Sequence, residues 1–154
     1  MYVRTPPTVL CQGDILTGLQ LVDSAAPTAP ASSYNVVVLS HTCEIVKPSN
    51  SVVLVCGIRP LEDVDAGNQG HIRRNRVRNA MYLEAVGSLK ESFVDFRFVF
   101  RVTKAFLEEA IRQGFRVASM NEEAQLALAT LFYRFLVRDI PKAAEESGSA
   151  SYLR

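Results

Sequence analysis

Cysteine is scarce in this 154-residue chain: Cys11, Cys43 and Cys56 are an odd set of three, and no two of them form the Cys-x-x-Cys pair common at structural zinc sites. That count argues against a disulfide framework of the kind that staples small secreted domains. Long apolar runs are lacking too. No stretch approaches the roughly 18 residues needed to span a bilayer, which predicts no membrane association, and Met1 to Leu10 lacks the charged-then-apolar layout of a signal peptide. The expected location is the cytoplasm. Excess charge of either sign is also missing, with 17 basic and 16 acidic side chains, and there is no internal repeat. The 48% hydrophobic content is ordinary for a globular protein. A chain of this length buries roughly two-thirds of its unfolded surface in one core, so a single domain over residues 1–154 is expected.

The balanced total conceals an uneven distribution. Residues 1–66 carry 3 basic and 6 acidic groups, residues 67–116 carry 10 and 5, and residues 117–154 carry 4 and 5. The basic excess is densest at His71-Ile72-Arg73-Arg74-Asn75-Arg76-Val77-Arg78-Asn79. Arginine keeps its charge and presents forked donors that match phosphate, so Arg73, Arg74, Arg76 and Arg78 are candidate nucleic-acid contacts. If this segment is helical, Arg74 and Arg78 share a face and Ile72 and Val77 can anchor it. The competing reading is a solvated surface stretch paired with Glu62, Asp63 and Asp65.

Residues 1–102 read as mainly β. Asp14-Ile15-Leu16 and Leu19-Gln20-Leu21-Val22 are short strand pieces bounded by Gly13 and Gly18, followed by a Pro/Ala/Ser/Thr loop from Ser24 to Ser33. Val36–Leu39 and Val52–Val55 are β-branched runs suited to buried strands. Ser92 to Val102 alternates strongly, placing Val94, Phe96, Phe98, Phe100 and Val102 on one face. Arg97 and Arg101 on the other face extend the candidate basic patch, with Phe93 and Tyr82 as candidate stacking surfaces. Met81 to Val86 is a weaker strand. Residues 103–141 read as helical: Lys104 to Gln113 behind Thr103 as N-cap, then Asn121 to Arg138 behind the capping-box pattern at Ser119–Glu122. Leu128, Leu131, Phe132, Phe135 and Leu136 form its apolar stripe, which serves a core and a dimer interface equally well. Pro141 stops the helix, and residues 142–154 read as a flexible tail.

The segment between the two β-branched runs, Ser40-His41-Thr42-Cys43-Glu44, is where a histidine, a thiol and a carboxylate come closest in sequence. His41 as base, Cys43 as nucleophile and Glu44 as orienting acid make a candidate constellation. Kept extended, however, His41 and Cys43 stand roughly 7 Å apart, beyond hydrogen-bond reach. A metal reading gathers Cys11, His41, Cys43 and Cys56, and a structural reading leaves the thiols as small core residues. Neither metal nor other cofactor is expected. His71 is a further candidate acid or base, and Asp14 is either a base or, more simply, the acceptor that closes a turn.

Gln12-Gly13-Asp14-Ile15-Leu16, Asn35-Val36-Val37-Val38-Leu39-Ser40 and Ser51-Val52-Val53-Leu54-Val55-Cys56-Gly57-Ile58 together resemble the opening of the MazF/PemK-like toxin family, over about residues 12–60. The resemblance implies an SH3-like β-barrel, and with the two C-terminal helices read above packed on the sheet the expected fold class is α+β. It implies an RNA-directed module, either a metal-independent endoribonuclease toxin or a degenerate relative of one, acting on single-stranded RNA, paired with an antitoxin, and often homodimeric. Where the family usually has Arg-Pro before its second strand this chain has Ser33-Tyr34-Asn35, and where it has Pro-Ile-Thr this chain has Gly57-Ile58-Arg59-Pro60. The alternative is a non-catalytic interaction or regulatory module that uses the barrel and the C-terminal helix.

Overall fold

The computed structural model describes residues 1–22 and 30–137. Most of the Ser24–Ser33 loop, the Arg138 helix end, Pro141 and the 142–154 tail lie outside them. Six strands form one antiparallel sheet: β1 (Asp14–Leu21), β2 (Ser32–Val38), β3 (Val52–Pro60), β4 (Ala80–Leu83), β5 (Ser92–Thr103) and β6 (Arg116–Ser119), in the order β4-β5-β3-β2-β1-β6. The helices are α1 (Thr42–Ile45), α2 (Ala66–Arg73), α3 (Lys104–Arg112) and α4 (Glu122–Leu136). The sheet curls into a half-barrel. Tyr2, bridged to Met120 beside the β6 edge, donates its hydroxyl to the Glu84 carbonyl just past β4 at 2.7 Å, so the two edges approach each other. No helix among the described residues is long and apolar enough to cross a membrane.

Alternation along the start of β1 and along β2 and β3 creates two apolar faces. Ile15, Val37, Cys56 and Ile58 point to one, which α4 covers with Ala124 and Leu128. Leu16, Val36, Val38, Val53 and Val55 point to the other, which α3 covers with Leu107 and Ala110. The helices therefore lie on opposite faces of the sheet.

Four differences from the sequence reading have local causes. β1 is one strand, not two pieces, because Gly18 at φ +76° forms a bulge within it. β5 does not keep one face. Cys56 pairs with Val99 but Ile58 pairs with Val94, so Gly57 alone lies opposite Asp95 to Phe98. That bulge leaves Val94 and Phe96 on the α4 side, exposes Phe98 and delivers Phe100 to the α3 side. The cap of α4 is Asn121, which accepts from Ala124 N at 3.0 Å, because Ser119 belongs to β6 and donates to Asp14 instead. Leu136, read as part of the apolar stripe, is exposed instead of packed on the sheet.

Candidate functional site

At the end of β2, Ser40 Oγ accepts from Leu54 N at 2.9 Å and pins the chain against β3. The backbone then turns into α1 with His41 as its N-cap. The extended spacing expected between His41 and Cys43 is thereby overturned: the helical turn folds i onto i+2, and His41 Nδ1 lies 2.9 Å from Cys43 Sγ. Cys43 N also donates to Nδ1 at 3.3 Å. Nδ1 is thus the acceptor, with the ring proton assigned to Nε2. Both side chains are exposed. Glu44 does not orient this imidazole. It pairs with Lys47 at 2.5 Å, and that hydrogen bond and charge push the Lys47 amine up.

Beside the pair, Thr42 Oγ1 accepts from Gln12 N at 3.0 Å. Burial, then the Asp14 charge, push the Cys11 thiol up, opposed by Thr42 and Arg116. Cys56 is elsewhere, inside the sheet. Its thiol donates to the Asp95 carbonyl at 3.1 Å and is pushed up to about 12, by burial first and by Asp95 second. Cys11, His41, Cys43 and Cys56 do not converge, and no group of three or more metal-ligating side chains does so among the described residues. Asp14 is no exposed base. Fully buried, it accepts from Cys11 N at 2.9 Å, Arg116 Nη1 at 3.0 Å and the Ser119 hydroxyl, closing the turn into β1.

The arginine segment lies at the far end of β3. Ile72 of α2 packs with Leu61, Ala80 and Phe93, with Val77 against them, as anchors for the basic stretch. Arg73 is committed to Glu91 through two bonds of 2.9 and 2.8 Å. Those bonds and the Tyr82 hydroxyl hold the Glu91 carboxyl at about 2. Arg78 donates to the carbonyls of Arg134 and Val137, capping the end of α4. Arg74 and Arg76 are exposed, as is His71 on the last turn of α2. An open groove of about 500 Å³ runs between residues 75–78 and α4, bordered by Arg76, Arg78, Tyr133 and Arg134. Tyr133 is 65% exposed.

The expected extension of the patch through Arg97 and Arg101 does not form. Arg97 closes on the buried Asp95, with Nε at 2.8 Å and Nη2 at 2.6 Å, across the bulge. Burial would raise the Asp95 carboxyl, but the bonds from Arg97 prevail and hold it low. Arg101 pairs in register with Leu54, toward the His41 end. Phe93 is core and offers no stacking face, while the Tyr82 hydroxyl donates to Glu91. Tyr133 and Arg134 escaped the sequence reading. The signal was their position on the side of α4 away from Ala124 and Leu128.

The two candidate regions do not share a hollow. The eight steps of β3 from Val52 to Pro60, at roughly 3.3 Å each, put roughly 26 Å between the strand end beside α1 and the one leading to α2. No family model matches the chain, and no curated protein matches its sequence.

Proposed function

We propose that the protein is an RNA-directed module of the MazF/PemK-like kind in its degenerate form: it grips single-stranded RNA without cutting it. The observation that carries this reading is the groove beside α4. Arg76 and Arg134 are exposed there, and no ion pair or hydrogen bond engages either guanidinium among the described residues, while Tyr133 adds an exposed ring to the same groove. Two charges that hold phosphates and one aromatic that stacks a base are the elements of sequence-tolerant single-strand binding. The curled antiparallel sheet supports the SH3-like barrel assignment. Non-cleavage is supported by the 26 Å scale of separation from His41 and Cys43, and by Ser33-Tyr34-Asn35 standing where the family carries arginine.

The test is fluorescence anisotropy of a labelled single-stranded RNA 12-mer, with gel analysis of its integrity. Expected are intact RNA, binding that weakens as salt rises, and roughly tenfold or greater loss in the Arg76→Ala/Arg134→Ala double variant. Equal binding by wild type and double variant, or a cleaved oligonucleotide, rejects the proposal. A second reading rests on the same helix: Leu126, Tyr133 and Leu136 are 70%, 65% and 59% exposed, an apolar strip suited to a protein partner such as an antitoxin or to a second copy. It predicts that Leu126→Asp abolishes association with that partner while RNA binding persists.

A further inference from the structure

We propose that His41 and Cys43 form a peroxide-reactive thiol pair, a site of reversible oxidation separate from the arginine groove. The geometry has the two parts from which an activated nucleophile is built: an exposed sulfur and a base 2.9 Å away. The Cys43 amide donates to the same Nδ1 at 3.3 Å, which fixes the ring at the N-cap, and that longer bond is released when Nδ1 takes the thiol proton. The pair stands on open surface at a strand end, so its reagent is one small enough to need no pocket, and peroxide fits this description. The other two thiols are built the opposite way. Cys11 is half-buried beside the Asp14 carboxylate, and Cys56 is sealed in the sheet with its S–H committed to a backbone carbonyl.

In the reaction His41 Nδ1 takes the proton from Cys43 Sγ. The thiolate attacks one oxygen of hydrogen peroxide, an S–O bond forming as the O–O bond breaks. Sulfur loses two electrons and becomes sulfenic acid. The departing hydroxide accepts the proton from the imidazolium and leaves as water. The product is the reversible first step of thiol oxidation, restored by a small thiol through a mixed disulfide.

The experiment treats the full-length protein with equimolar hydrogen peroxide, traps sulfenic acid with dimedone and locates the adduct by peptide mass spectrometry. Expected is an adduct on Cys43 ahead of Cys11 and Cys56, lost in Cys43→Ser. His41→Asn separates chemistry from folding, because asparagine is a good N-cap and keeps an acceptor for the Cys43 amide but cannot take the thiol proton. This variant should retain the wild-type thermal midpoint while labelling slows by about tenfold or more. Labelling of His41→Asn at the wild-type rate, or first labelling at Cys11, overturns the proposal. RNA binding is measured in parallel: its presence or absence bears on the groove alone.

Discussion

Asp14 shows what a single buried carboxylate can organise. It has no solvent exposure, and its partners come from the turn before β1 and from two positions on β6, so it ties the N-terminal segment to the sheet edge. Arg116, 11% exposed, extends the tie by donating to the carbonyls of Val9 and Pro7. Removing one member of such a pair leaves the other charge uncompensated, which costs about 3–5 kcal/mol. Asp14→Ala should therefore lower stability by that amount in urea denaturation, and a loss under about 1 kcal/mol would contradict the assigned role. Glu91 makes a different prediction, one of pH. Its folded value of about 2 lies below the ordinary 4.5, so its contribution is complete above pH 4.5 and is lost as pH falls through about 2. The difference in thermal midpoint between wild type and Glu91→Gln should stay constant from neutral pH down to the ordinary value and shrink below it. A gap that persists in acid would mean that the Arg73 bonds do not depend on the carboxylate charge.

At the scale of elements, α4 has two unlike sides. Leu128 is fully buried against the sheet, whereas Leu126, two positions earlier, is 70% exposed. Leu128→Ala should cost about 2–5 kcal/mol through lost contact and a cavity, while Leu126→Ala should stay within about 0.5 kcal/mol. Equal effects at the two sites would mean that the helix docks in another rotation. Because Arg78 bonds the carbonyls that end α4, loosening the helix should also disturb the groove, so Leu128→Ala is expected to weaken the proposed RNA binding although Leu128 does not line the groove. β5 illustrates why its alternation was a correct signal of a strand and a wrong guide to its faces. Period 2 identifies the extended chain, but the bulge opposite Gly57 inserts residues that only the pairing with β3 reveals.

Over the whole molecule, charge is sorted more finely than the sequence totals imply. The middle third carries the basic excess, yet Arg73 and Arg97 are each matched to a carboxylate, and Arg101 lies toward the other end of the sheet. Among the described residues at the α2 end of the sheet, what remains for a polyanion is Arg76 and Arg134, with Arg74 alongside. Two or three phosphate contacts on a single strand predict a slope of roughly −1.4 to −2.1 for log K against log salt. A slope near zero would assign any binding to apolar contact along α4. A slope much steeper than this range would mean that cations beyond these three join the contact.

The sequence alone determined which segments are extended or helical wherever periodicity and capping agree: the β-branched runs of β2 and β3, the alternation of β5, and α3 behind Thr103. It also marked Arg76 and the His41–Glu44 segment as chemically notable, because residue type is a local property. It did not determine distances between segments. β6 was missed because four residues between two helices carry too short a pattern to read, and α2 because a stretch with Gly67 and Gly70 has weak helical propensity until Ile72 is buried. Tertiary structure decided that His41 and Cys43 meet, since one helical turn replaces an extended spacing, and that the arginines lie across the sheet from them. Strand register and the direction of β3 set that separation, and both arise from pairing between residues far apart in the chain.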